Sequence, residues 1–173
     1  LTATGGLGLI SSRLTLEGPI AKDKASFIIS GRRTYSDVFT RMLNKANEGK
    51  PDYSPIPDYY FYDLNGKFNY NISTKDELTL SSYFGKDFFK FSDDKFKVGF
   101  NWGNSMASLR WRHSFSPRNF VTTALSTSNY QYTIDNQIDV FTLRLRSDIQ
   151  DITLKTDFNL MLDDRHNLKT GAM

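Results

Sequence analysis

Between residues 58 and 73 the chain reads DYYFYDLNGKFNYNIS, and its side chains divide by parity. Tyr60, Tyr62, Leu64, Gly66, Phe68, Tyr70 and Ile72 share one side, and Phe61, Asp63, Asn65, Lys67, Asn69 and Asn71 share the other. Strict alternation marks a β-strand with one apolar and one polar face. The run lasts about fourteen residues, against roughly five or six for an ordinary globular strand.

The same period returns along the chain, with turn residues between the runs. It predicts strands over 7–17, with Ile10, Leu14 and Leu16 on one face, and over 25–35, with Phe27, Ile29 and Gly31 opposite Ser26, Ser30 and Arg32. Residues 78–91 set Leu78, Leu80 and Phe84 against Thr79, Ser81 and Asp87. Residues 101–115 set Ala107, Leu109, Trp111 and Phe115 against Ser108, Arg110, Arg112 and Ser114. Over 120–133 the apolar side is predicted to hold Phe120, Ala124, Tyr130 and Tyr132. Over 149–162, Ile152, Leu154, Phe158, Leu160 and Leu162 oppose Asp151, Lys155, Asp157 and Asn159, and a further strand starts near the end of the sequence.

Connections near 18–24, 73–77, 116–119 and 163–167 are short and polar. Those near 36–57, 91–99 and 134–147 read as open. The first of these carries Pro51, Pro55 and Pro57 and a short helix around 37–46. Strands joined in this way form an up-and-down antiparallel meander with two unlike rims. Aromatic residues crowd the strand ends at Tyr59–Tyr62, at Phe88, Phe89 and Phe91, and at Tyr130 and Tyr132, where membrane barrels carry interfacial girdles.

Two architectures share this pattern. A soluble β-sandwich or small barrel would use the polar side as its solvated face. A membrane barrel would place the apolar side in lipid and the polar side in a hydrated lumen. Strand length favours the second: fourteen residues extend roughly 45 Å, enough to cross a hydrocarbon band about 25–30 Å thick even when tilted. The expected fold is therefore all-β, an antiparallel up-and-down transmembrane barrel of which about eight strands are in hand. Arg32, Asp63, Asn65, Lys67, Asn69, Arg110, Arg112, Asp151, Lys155 and Asp157 are then the candidate lumen-facing polar residues. They could pair across strands and hold a plug, or give the wall a field that draws an anionic solute.

Composition narrows the function. The 173 residues hold no cysteine, so disulfides and thiolate metal sites are excluded. A net charge of +3, spread along the chain, gives no footprint for nucleic acid. His113 and His166 lack metal-ligand spacing. The pairs Asp93-Asp94 and Asp163-Asp164 lack the calcium-loop pattern and read as solvated turns. GGLG at 5–8 is followed by no phosphate-loop Lys-Ser/Thr, and no nucleophile stands in a triad context. No enzyme activity and no cofactor are expected.

The stretch GGLGLISSRLTLEGPIAKDKASFIISGRRTYSD (5–37) closely resembles the start of the barrel in TonB-dependent outer-membrane receptors of the Bacteroidetes type. YYFYDLNGKFNYNISTKDELTLSSYFGKD, WGNSMASLRWRHSFSPRNFVTT and SDIQDITLKTDFNLMLDDRHNLKTG resemble further hairpins of that family. The resemblance implies a twenty-two-stranded barrel in the bacterial outer membrane, importing a nutrient such as a glycan, siderophore, vitamin or peptide. It assigns residues 1–173 to N-terminal barrel strands, with the plug domain and the C-terminal strands outside this sequence. The implied partners are outer-membrane lipids, the plug, TonB-ExbB-ExbD acting through the plug and, in SusC-like members, a SusD-like surface lipoprotein. The connection at 36–57 would face outside, with Tyr53 its candidate contact for a ligand or partner. A self-contained small outer-membrane barrel or porin and a soluble β-sheet binding domain are the alternatives.

Overall fold

The computed structural model describes every residue except 52, 94, 95, 139 and 164. One nine-stranded sheet runs in strict chain order. Its strands are β1 (Thr2–Leu7), β2 (Ser11–Ala21), β3 (Ala25–Thr34), β4 (Asp58–Asn71), β5 (Asp76–Ser92), β6 (Phe96–Ser114), β7 (Phe120–Ile138), β8 (Phe141–Met161) and β9 (Asn167–Ala172). Every neighbouring pair is antiparallel. The sheet is open, with β1 and β9 as its edges. A 12-residue helix, α1 (Ser36–Asn47), lies between β3 and β4.

Four features depart from the sequence expectation. The run 7–17 is not one strand. The chain turns at Gly8–Ile10, where Gly8 N–H donates to the Ser11 carbonyl at 2.8 Å, and an additional strand β1 precedes the turn. Ile10 therefore leaves the strand face, and its carbonyl accepts from Tyr35 N–H at 2.9 Å. The stretches 91–99 and 134–147 are not open loops, because β5 and β6 continue to Ser92 and from Phe96, and β7 and β8 to Ile138 and from Phe141. Only the connection at 35–57 is long at that end of the sheet. Finally, β7 shows its other face: Phe120, Ala124, Tyr130 and Tyr132 pair with Ser114, Arg110, Asn104 and Trp102, on the side of the polar residues, while Val121 and Leu125 point the opposite way.

Register explains the alternation. Residues directly opposed across strands project to the same side of a sheet, so the pairings can be followed from strand to strand. One row runs Leu16, Ile29, Gly66, Ser82, Ala107, Thr127, Ile152, and the next runs Phe27, Phe68, Leu80, Leu109, Leu125, Leu154. Seven strands, β2 to β8, thus contribute to one continuous apolar band.

Among the described residues nothing covers that band. Leu64 is 52% exposed and Leu109 is 43% exposed, and the only buried hydrophobic residues among those described are Ala25 and Val121. Domains in water bury their apolar faces between layers. This sheet is a single layer.

The short turns are set locally. At the β2–β3 turn Asp23 takes a positive φ of 58°, a left-handed conformation that Asp tolerates better than most residues. At the β4–β5 turn the Ser73 hydroxyl donates to Asp76 Oδ2 at 2.7 Å and accepts the Lys75 and Asp76 amides at 3.1 Å each. These turns close at one end of the sheet, and α1 stands at the other.

Candidate functional site

The polar residues singled out in the sequence lie on a single side, opposite the apolar band. Arg32 is paired with Asp63 across β3 and β4, and Asn65, Lys67 and Asn69 follow on β4. Arg110 and Arg112 on β6 reach the same side through Thr79 and Glu77. Asp151, Lys155 and Asp157 on β8 join it through Ser128, Ala124 and Thr122.

Contacts among them are short-range. Arg32 Nε and Nη2 both donate to Asp63 Oδ2, at 2.8 and 2.6 Å, and the guanidinium lies 4.7 Å from the centre of the Phe61 ring. Thr79, which is buried, donates to Asn69 Oδ1 at 3.1 Å and accepts from Arg110 at 3.3 Å. Glu77 stands 4.0 Å from Arg110, and Lys155 contacts Asp157 at 3.0 Å along β8. Arg112 sits over the Phe120 ring at 4.0 Å, and Asp151 accepts from Thr153 at 3.3 Å. Exposed pairs of this kind contribute about 0–1 kcal/mol each; their consequence is local neutralisation of the surface. Asn65 and Lys67 border a depression of about 400 Å³ with Ser30, Ser81, Tyr83 and Met106.

Tyr53 is placed off the sheet. Its hydroxyl donates to Asn44 Oδ1 at 2.6 Å, and the same oxygen accepts Ile56 N–H at 2.8 Å, so Tyr53 ties the returning chain to α1. The histidines each hold a turn. His113 Nδ1 is 2.7 Å from Asp76, and His166 Nδ1 is 2.8 Å from both oxygens of Asp163. No cluster that could hold a metal ion occurs among the described residues. Of the two acidic pairs, Asp94 and Asp164 lie outside the described residues.

The Asp163 turn makes a pH prediction. Asp163 accepts from the His166 ring and from the Arg165 and His166 amides at 2.8 Å. The His166 hydrogen bond, followed by the Arg165 amide, holds its carboxyl below the usual range. A depressed folded-state value means the stabilisation is present above the ordinary Asp value of about 3.9 and is lost as pH falls through the lower one. Hydrogen-exchange protection of the Arg165 and His166 amides should therefore hold at mildly acidic pH and collapse only below the ordinary carboxylate range. In Asp163→Asn the protection should be weaker and should lose that dependence. A wild-type collapse centred above the ordinary Asp value would contradict the assignment.

Sequence alternation missed the most extensive feature of the polar side. At the α1 end a run of rings supplied by β4, β6 and β7 crosses four strands: Phe61 to Tyr59 at 6.2 Å between centroids, Tyr59 to Trp102 at 6.3 Å, Trp102 to Phe100 at 4.9 Å, Phe100 to Tyr132 at 6.5 Å and Tyr132 to Tyr130 at 6.2 Å. The Tyr59 hydroxyl donates to Asp87 Oδ1 at 2.8 Å, spanning β5 and orienting the ring. On β7 and β8 the apolar character of this side continues through the paired Ile134 and Leu145. The opposite side changes in the reverse sense. There Asn101, Gly103, Gln131, Thr133, Arg146 and Asp148 take positions that nearer the short turns belong to Leu and Phe. Polarity therefore inverts partway along β6, β7 and β8, and this inversion is what hid β7's facing from the sequence.

The apolar side keeps two aromatic groups of its own. Tyr60 stacks on Phe88 at 4.7 Å, with Tyr62 at 6.0 Å from Phe88 and 6.1 Å from Phe84. Nearer the short turns, Phe68 and Tyr70 stack at 6.4 Å, and Trp111 neighbours His113 at 5.7 Å. From Tyr60 to Tyr70 the strand rises about 33 Å, or roughly 25 Å normal to a layer it crosses at a tilt of about 40°.

Two solved receptor structures are similar to the chain. Both are variants of the ferric enterobactin receptor of Pseudomonas aeruginosa. One is 12% identical with a TM-score of 0.30, and the other is 11% identical with a TM-score of 0.29. Each match covers 93% of this chain and 40% of the receptor, so the chain spans less than half the length of the proteins it matches. No protein-family model and no curated protein matches the sequence. Among the described residues no helix is long and apolar enough to cross a membrane, which says nothing of crossing by strands.

Proposed function

We propose that this sheet forms part of the transmembrane wall of a TonB-dependent outer-membrane receptor that imports a scarce nutrient, of the Bacteroidetes type that residues 5–37 resemble. One observation carries the reading: a single-layer sheet with an uncovered apolar band on one side. Contiguous apolar surface beyond a few hundred Å² is rare on soluble monomers, whereas acyl chains match it. The two aromatic groups on that side are spaced for the interfaces of a hydrocarbon layer about 25 Å thick. Backbone amides in lipid must all be paired, which a closed barrel containing these strands achieves.

In this arrangement Arg32, Asp63, Asn65, Lys67, Asn69, Arg110, Arg112, Asp151, Lys155 and Asp157 line the lumen and face the plug. The short turns face the periplasm, and the connection bearing α1 and Tyr53 faces outside. The ring series from Phe61 to Tyr130 then lies on the inner wall above the membrane, where an incoming nutrient first meets it. Rings of this kind suit ligands with flat apolar faces, including sugars and aromatic chelators. Energy reaches such a receptor from TonB-ExbB-ExbD through the plug, and a surface lipoprotein would meet the outer rim.

Genetics tests the reading. Deleting the gene should impair growth on one limiting nutrient, and deleting the TonB complex should reproduce the same defect. Full uptake in cells without TonB would overturn it in favour of a passive porin.

A further inference from the structure

The polar flank of α1 is held to the protein. Asp37 is buried and meets Arg33 at 3.6 Å and Arg41 at 3.5 Å. Arg41 also bonds Asp58 at 3.1 Å, and the Thr40 hydroxyl donates to Asp58 Oδ1 at 2.6 Å. Asn44 holds Ile56 and Tyr53. At 100° per residue these positions make one stripe. The opposite stripe is Val38, Phe39, Met42 and Leu43, exposed by 46%, 48%, 64% and 50%.

The sheet residues that grip α1 with their side chains belong to the apolar side. Arg33 shares its register row with Tyr62, and Asp58 has the parity of Tyr60. The Arg33 guanidinium also lies 5.2 Å from the Tyr60 ring, so one side chain joins the helix to the outer aromatic group. The tether sets α1 at the rim of the apolar band, with its greasy stripe turned away from the protein. A polar flank anchored to protein and an apolar flank left free is the arrangement of an interfacial helix, which buries its apolar face about 5–10 Å below the headgroups.

We propose that α1 is such a helix, with Val38, Phe39, Met42 and Leu43 seated among acyl chains of the outer leaflet beside Tyr60, Tyr62 and Phe88. The occupant is lipid because the helix borders the one surface of the chain that already requires lipid. The inference rests on the transmembrane-wall reading. Arg41 and Lys45 stand at the level where lipid phosphates lie, Arg41 held by its two acids and Lys45 in the last turn.

Spin labelling of the complete receptor in phosphatidylcholine–phosphatidylglycerol vesicles tests it, since this chain contributes no native cysteine. Labels on Phe39→Cys and Met42→Cys should collide several-fold more with oxygen than with a water-soluble nickel chelate, as should the band control Leu64→Cys. Labels on Lys45→Cys and Lys67→Cys should show the reverse. If Phe39 and Met42 behave like Lys45 while Leu64 remains lipid-like, the helix stands in water and the proposal fails. If both labels are shielded from both reagents, a protein covers the stripe and the proposal fails equally. A Leu64 label that favours the nickel chelate would instead overturn the transmembrane wall itself.

Discussion

Leu109→Arg should destabilise the barrel by about 2–4 kcal/mol in lipid vesicles, the cost of a cation on the lipid face near the midplane. The neighbouring Ser108→Arg should cost no more than about 1 kcal/mol, the scale of one hydrogen bond lost. Leu109 stands in the apolar band between Leu80 and Leu125. Ser108 points the other way, its hydroxyl 2.8 Å from that of Ser126. A guanidinium from position 109 must snorkel or carry water into the hydrocarbon, whereas one from position 108 enters a hydrated space. In a water-soluble sheet both sites would be half-exposed surface, and each substitution would fall within about 0.5 kcal/mol of neutral. Denaturant midpoints of the two reconstituted variants decide the question. Equal midpoints would remove the membrane from the account.

Trp102→Ala should produce the second large effect, at the opposite end of the strands. Trp102 links Tyr59 to Phe100, and two ring contacts at about 0.5–1.5 kcal/mol each put the loss at roughly 1–3 kcal/mol. The loss should be local: exchange protection near Tyr59, Phe100 and Tyr132 falls, while that of Leu80, Leu109 and Leu125 is unchanged. Under the receptor reading, the half-saturating nutrient concentration for uptake should rise about tenfold with the receptor still present in the membrane. Phe88→Ala, which removes a ring from the other side of β5, should leave that concentration where it was. Normal uptake by Trp102→Ala would leave the ring series a packing feature only.

Much of the fold was legible because a strand's side-chain period is two and β4 obeys it from Tyr62 to Asn71. The same rule read β3, β5 and the short-turn half of β6 and β8 correctly, and put Arg32 and Asp63 both on the polar side. It failed where its assumption failed. A chain that is apolar outward in one layer and apolar inward in the next has no single greasy face. Alternation there continues with its sense reversed, and Tyr130 and Tyr132 were therefore assigned, with Phe120 and Ala124, to the apolar side. The reversed pattern also made 91–99 and 134–147 look irregular, although β5 and β6 reach to Ser92 and from Phe96, and β7 and β8 to Ile138 and from Phe141. At the N-terminal end, Gly5, Gly6 and Gly8 offered no hydrophobic signal, so β1 was visible only through its pairing with β2.

The aromatic residues show the same division. Composition and position concentrate them at strand ends, but Tyr59 and Tyr60 are neighbours in sequence and point to opposite sides of the sheet. One belongs to a stack with Phe88 on the apolar side and the other to the ring series on the polar side.

By itself the sequence determined most of the strands, their antiparallel order and the helix after β3, because period, turn residues and chain order act over a few residues. Only the tertiary structure decided which rings meet, that the apolar band lies uncovered in a single layer, and that the helix presents its greasy stripe away from the protein. Those outcomes depend on register between strands and on which flank of α1 finds partners, and neither quantity is local.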